Sequence, residues 1–308
     1  MSSKIAYRDA LGEALRMEMS RDPSVVSICR AGDDSRRATT GLANAFGPDR
    51  VVEIASGHGS VLAAGAGAAL EGLRPVCEVD PSEVVPRDLS DLLDVASQLG
   101  EWDAATLPLV LRIPTGGHAL GGPLMPPSLE SWLLGTPTLK VVVPATPADA
   151  KGLMVSAIRE PVPVCVLEQE PLFGDVALVP EGGHLVQIGK ARIVREGERL
   201  TVISHGVAVP LAERVAERLD DGVEVLDLRT LQPLDRRGIL ESVMRAGRAV
   251  IVESPACRSL GAEIASIILE GAFEYLDGPL RRVVVSPADD DDRALGQIEE
   301  ACDDLLRY

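Results

Sequence analysis

Hydrophobic positions along the chain follow two periods in turn. Tyr7 to Met19 places Ala10, Leu11, Ala14, Leu15 and Met19 on one helical face. Short apolar runs at 24–29 (SVVSIC), 51–55 (VVEIA), 74–79 (RPVCEV), 107–114 (LPLVLRIP), 139–145 (LKVVVPA) and 163–169 (PVCVLEQ) read as buried strands. Helical segments alternate with them: a small-residue helix at 60–70, an amphipathic one at 88–99, and one at 146–158. Thr146 caps the last of these and Pro147 takes its first position. Gly- and Pro-marked residues from 174 to 190 break the pattern and read as a linker.

A second series follows, with strands at 200–206, 223–229, 249–254 and 281–286. Its helices fall at 208–219, near 235–246, at 260–275 and near 293–306. This alternation predicts two doubly wound α/β domains, residues 1–175 and 191–308, joined by a linker at 176–190.

Composition narrows the class. At 46% hydrophobic and 25% charged, the 308 residues can fill a sizeable core. Aromatics are only 3%, so Ala, Val, Leu and Gly carry the packing, as suits helix-covered parallel sheets. A net charge of −17 argues against a nucleic-acid partner, which needs a basic footprint. Five scattered cysteines, never in C-x-x-C spacing, read as reduced thiols of a cytoplasmic protein. The N-terminus lacks the apolar core of a signal peptide. The uncharged stretch 54–70 is too broken by glycine to span a membrane, so no membrane partner is expected.

Several segments resemble one family. They are IAYRDALGEAL near the start, FGPDRVVE at 46–53, AAGAGAALEGLRPVCE at 63–78 and SLESWLLGTPTLKVVVPATPADAKGLMVSAIR at 128–159. VEVLDLRTLQPLD at 223–235 and LGAEIASIILEGAFEYLDGPLRRV at 260–283 continue the series in the same order. The chain is similar to the β subunit of the thiamine-diphosphate-dependent E1 component of 2-oxo acid dehydrogenases. The resemblance implies a transketolase-like pyrimidine-binding domain followed by a transketolase C-terminal-type domain. It implies an α2β2 heterotetramer with an E1α-like partner that holds the diphosphate and Mg2+, and a lipoyl or acyl-carrier protein that accepts the product. No G-D-G with a late Asn-Asn is present to bind diphosphate and metal in this chain, so no metal ligand is assigned here.

The departures from that family gather at the cofactor pocket. Counting back from GLRP at 72–75, His58 falls where the family carries a glutamate that hydrogen-bonds the aminopyrimidine ring. Cys29-Arg30-Ala31 replaces a G-E-D, which puts a cation, Arg30, where a carboxylate stood. Met125 replaces a histidine, and the pyrimidine-flanking aromatics give way to residues of VDPSEVV, Val84 among them. Val252 takes the histidine position of an HEAP motif, and DDDDRAL replaces a Pro- and Tyr-rich segment.

His58 is therefore a candidate contact to thiamine or to another ligand, or else a turn residue of a disused pocket. His118, in GGHALGG, pairs with it as a candidate acid–base set, or is a solvated loop residue. Arg30 would hold a ligand carboxylate or phosphate, or else bridge to Asp33, Asp34 or a partner chain. Three functions follow: an E1β-like subunit that decarboxylates a 2-oxo acid or accepts a ketol donor with altered cofactor activation, a degenerate family member kept as a structural or regulatory subunit, or an enzyme that binds a different ligand in the old pocket through Arg30, His58 and His118.

Overall fold

The computed structural model describes residues 2–31, 41–55, 60–79, 106–116, 129–134, 136, 138–219, 222–254, 258–285 and 291–308. Cα proximity divides the chain into two units: Met1–Pro126 with Thr136–Ile188, and Pro127–Gly135 with Gly189–Tyr308.

The first unit opens with β1 (Ser2–Ala6), α1 (Tyr7–Arg21) and β2 (Val25–Arg30). Then come α2 (Leu42–Phe46), β3 (Val51–Ile54), α3 (Ser60–Leu70), β4 (Arg74–Glu78) and β5 (Val110–Thr115). A short helix, α4 (Leu129–Leu133), groups with the second unit. The first unit resumes with β6 (Lys140–Val142), α5 (Pro147–Arg159), β7 (Val164–Gln169) and β8 (Val176–Pro180). Six strands run in the order β6-β7-β5-β4-β2-β3, with every neighbouring pair parallel. Strands β2 and β7 are buried along almost their whole length, which is why they read as unbroken apolar runs.

Helix α5 is buried nearly all round and packs along α1. Its Thr146 cap forms as expected: Thr146 Oγ1 accepts from the Asp149 N–H at 3.2 Å and donates to Asp149 Oδ2 at 2.7 Å. Glu18 of α1, wholly buried, receives Arg159 of α5 at 2.6 and 3.0 Å and Arg21 at 2.8 and 3.0 Å. Lys151 is also fully buried, and its Nζ donates to Glu13 at 2.9 Å and to the Pro180 carbonyl at 2.8 Å. Within the stretch read as a linker, β8 pairs antiparallel with β1 from Ser2↔Pro180 to Ala6↔Val176.

The second unit contains β9 (Arg192–Arg195), β10 (Leu200–Ser204), α6 (Ala208–Leu219), β11 (Val223–Asp227), α7 (Arg236–Ala246), β12 (Ala249–Glu253), α8 (Arg258–Gly271), β13 (Arg281–Val284) and α9 (Asp291–Leu306). Its sheet runs β13-β12-β10-β11-β9, parallel except for the antiparallel edge strand β9. Leu200, Val202, Val223, Val225, Val250 and Val252 face α6 and α9 in one apolar core. On the opposite face Glu253 accepts from the Gly261 N–H of α8 at 3.0 Å and from Arg282 at 2.6 Å. Cys29, Cys77, Cys165 and Cys302 are buried and form no disulfide. No described helix is long and apolar enough to cross a membrane.

Candidate active site

In the first unit the chain leaves β2 through α2 for β3 on one side, then returns through α3 to β4 on the other side of β2. Successive crossovers therefore diverge between β2 and β4. Open α/β sheets bind ligands outside the carboxyl ends of the strands at such a divergence. Here those ends are Arg30-Ala31 and Glu78-Val79. The ladder runs one residue past each strand: Ala31 N–H donates to Ile54 O and Val79 N–H to Arg112 O, both at 2.9 Å.

Three charged side chains stand on one face of this edge. Glu78 ends β4, Arg112 is its register partner on β5, and Glu168 lies opposite Pro114 on β7. Arg112 Nε and Nη2 donate to the two oxygens of Glu168 at 2.6 and 2.9 Å, a bidentate fork. Its Nη1 donates to Glu78 Oε2 at 3.1 Å. The side chains of Arg112 and Glu168 are 3% and 2% exposed, while Glu78 is 15% exposed, so the network opens to solvent at Glu78. Burial pushes the Glu168 carboxyl above the usual range, with Arg112 opposing the shift. The two carboxylates hold Arg112 firmly in its charged form despite its burial.

Neighbouring groups stiffen the edge. Gln169 Nε2 donates to Thr115 Oγ1 at 2.8 Å, joining the carboxyl ends of β7 and β5. Gly116 turns the chain with φ +80, and a Cβ there would meet Pro171 Cδ at 3.2 Å. The Tyr7 hydroxyl donates to the Pro144 carbonyl at 3.1 Å, and its ring stacks on Phe173 with centroids 5.9 Å apart. Burial raises the Tyr7 pKa well above its ordinary value, and the Glu168 charge adds to the rise.

Of the residues expected at the site, Arg30 lies at the exposed end of β2, beside buried Cys29. His58, Val84, His118 and Met125 lie outside the described residues. Val252 is 1% exposed within the apolar core of the second unit, so at this position the chain carries packing and no titratable group. Sequence reasoning missed Glu78, Arg112 and Glu168. Their signal was a charge inside an otherwise apolar strand, in RPVCE, VLRIPT and VCVLEQ, since such charges stay buried only when paired. At this edge the carboxylate of Glu78 is the acceptor of the network that reaches solvent, a kind of group that suits N–H donors such as those of the ring half of the cofactor that the resemblance implies. Among the described residues, no three His, Cys, Asp or Glu side chains gather to hold a metal.

Comparison with known proteins agrees with this architecture. The family model for the transketolase pyrimidine-binding domain matches residues 3–175, and that for the transketolase C-terminal domain matches 189–300. The chain is 34% identical over 297 residues to the 2-oxoisovalerate dehydrogenase subunit beta of Bacillus subtilis (strain 168), covering 91% of this chain and 89% of that one. It is 35% identical over 295 residues to a mitochondrial pyruvate dehydrogenase E1 component subunit beta-2 of Oryza sativa subsp. japonica, covering 92% and 78%. Among solved structures, a split-gene transketolase described as an inactive beta4 tetramer shares the fold, with a TM-score of 0.76 at 20% identity over 98% of this chain and 99% of that one. A pyrimidine-binding unit with a doubly wound sheet, a transketolase C-terminal unit and more than nine-tenths of the chain aligned at about one-third identity place this protein in the family of E1 β subunits of 2-oxo acid dehydrogenases.

Proposed function

We propose that the chain is the β subunit of an E1-type enzyme, assembled with an E1α-like partner as an α2β2 heterotetramer. The assembly would decarboxylate a 2-oxo acid, or accept a ketol donor, and pass the acyl unit to a lipoyl or carrier-protein thiol. The observation that carries this reading is the near full-length match to E1 β subunits on a sheet whose crossovers diverge between β2 and β4. Thiamine diphosphate with Mg2+, its diphosphate held mainly by the partner, would supply the nucleophile and electron sink that decarboxylation of a 2-oxo acid needs. This chain's part is to receive the aminopyrimidine ring at the carboxyl edge of the first unit. There Glu78 and Arg30 stand at the ends of β4 and β2 and would line the ring's edge, and the Gln169–Thr115 bond holds two strand ends in place. His58 would face the ring in place of the expected carboxylate, and His118 would join it in proton transfer. Losing one positioned acid–base contact costs about 10²–10⁴ in rate, so a slow enzyme follows.

The test is to co-express the chain with its E1α-like partner and titrate the complex with thiamine diphosphate and Mg2+ by calorimetry. Saturable binding near one site per αβ pair, weakened by His58→Ala, supports the reading. A well-formed complex with no heat of binding overturns it. The second reading, a subunit that keeps the scaffold and drops the chemistry, is favoured by Val252, an apolar core residue at a position where the resemblance expects a histidine. Under that reading His58→Glu restores no activity.

A further inference from the structure

We propose that a cavity of the second unit, walled by α4, the turn ahead of α7 and α8, is a binding site for an apolar α-amino acid. Arg236 takes the ligand's carboxylate, Glu263 its ammonium group, and an apolar floor its side chain. The cavity shares no residue with the carboxyl edge of the first unit.

Shape is the first ground. The cavity holds about 480 Å³, a size common among small-molecule sites. Leu231, Leu260 and Ile267, each no more than 2% exposed, form its floor, and half-buried Leu134 and Leu234 its sides. The polar lining residues, Arg236 and Glu263 among them, are half-buried or exposed, so the mouth is polar and the depth is hydrocarbon. Helical spacing produces this division: Leu260, Glu263, Ile267 and Glu270 fall three and four apart on one face of α8.

Charge is the second ground. Arg236 Nη2 donates to Glu270 Oε2 at 3.2 Å, and Glu270 Oε1 also accepts from Ser266 at 3.1 Å. Glu263 Oε1 lies 3.6 Å from Arg236 Nη1, an ion pair too long to be a hydrogen bond. Among the described residues the Arg236 side chain has no other partner, so Nε and Nη1 keep N–H groups to donate. The Arg236 and Glu263 side chains are 54% and 58% exposed, and pairs so exposed hold weakly, so a ligand parts them at little cost. With Glu270 matched to Arg236, one carboxylate is in excess among the described side chains of the mouth. A plain carboxylic acid would meet that excess charge, and a plain amine would leave the guanidinium fork empty. An α-amino acid answers both: its carboxylate takes the fork, and its ammonium group, one carbon away, donates to Glu263. Its side chain then enters the apolar floor.

The test titrates the full-length chain with four probes by ligand-observed NMR. L-Leucine carries both charges and the apolar group, 4-methyl-2-oxopentanoate the negative charge alone, isoamylamine the positive charge alone, and glycine both charges with no side chain. L-Leucine should bind with a dissociation constant of about 0.1–1 mM, as suits a ligand of so few atoms. Each of the other three should bind at least about 10-fold more weakly. Arg236→Gln and Glu263→Gln should each weaken L-leucine by about 10-fold, as loss of a charge-assisted hydrogen bond implies. Both residues are exposed, so neither change endangers the fold. Arg237→Gln, the next position on α7 and paired with Glu241, should leave binding unchanged. No binding of L-leucine at about 10 mM, or the same affinity in wild type, Arg236→Gln and Glu263→Gln, overturns the proposal. So does 4-methyl-2-oxopentanoate binding as tightly as L-leucine, which would make the cavity a plain carboxylate site.

Discussion

Arg112 is a single side chain that pairs with two carboxylates, the buried Glu168 and the partly exposed Glu78. Replacing it with methionine leaves Glu168 buried without its fork, and such losses cost about 3–5 kcal/mol. Arg112→Met should lower the urea midpoint accordingly, and adding Glu168→Leu should recover more than half of the loss, because an apolar pair of similar volume removes the stranded carboxyl group. His205 gives a pH signature. It is 5% exposed, and burial lowers its pKa from 6.5 to about 4. The unfolded chain therefore binds a proton there over a window in which the folded chain does not. Stability from this group is full above pH 6.5 and is lost as pH falls toward 4. The loss reaches roughly 3 kcal/mol, and urea titrations of wild type against His205→Gln at pH 7 and pH 4.5 should show a smaller acid loss in the variant. At this scale the sequence was least legible. Glu78, Arg112 and Glu168 are scattered along the chain and look like solvated charges until the strand register brings them together. Arg30 and Val252 were visible as departures, because a resemblance marks which positions should carry other chemistry.

Elements were easier to read than residues. The Thr146-Pro147 start of α5 was legible because capping is local: the cap, its reciprocal Asp149 and the proline lie within four positions. Thr146→Ala should cost about 1 kcal/mol, measurable by thermal or urea unfolding. Helix α3 was legible as a helix of small residues, and the structure gives one reason for them. A methyl at Gly65 would overlap Cys77 Sγ and lie 3.1 Å from Leu109 Cδ1, both in buried residues of the sheet side. Gly65→Ala should therefore destabilise by about 1–3 kcal/mol through overpacking, although alanine is the better helix former by about 1 kcal/mol. A gain in the melting midpoint would contradict that packing. Strands β1 and β9 escaped the sequence reading. SSKIA and RIVR are short and partly exposed, and their strand character comes from distant partners, β8 and β11.

The whole molecule carries a net charge of −17 on 308 residues. Self-repulsion of that size opposes compaction and is screened by salt. Raising NaCl from 10 to 150 mM should lift the melting midpoint by about 1–2 °C, as relief of roughly 1 kcal/mol does in a chain this long. A midpoint that falls would mean that attractive ion pairs such as Lys140–Glu160 outweigh the repulsion. Fold class was legible at this scale because alternating strands and helices recur through both units. The pairing of β1 with β8 has a consequence for biosynthesis. The first strand emerges from the ribosome some 174 residues ahead of the strand that completes its ladder. At translation speeds of 5–20 residues per second, that is a wait of roughly 9–35 s. During it Ile5 has no β8 to pair with, and until residue 159 is made the apolar face of α1 has no α5 to cover it. The second unit closes its ladders over much shorter stretches of chain. The nascent first unit is thus the part of this protein most in need of a chaperone's shelter, and slow codons placed before residue 180 would lengthen that need.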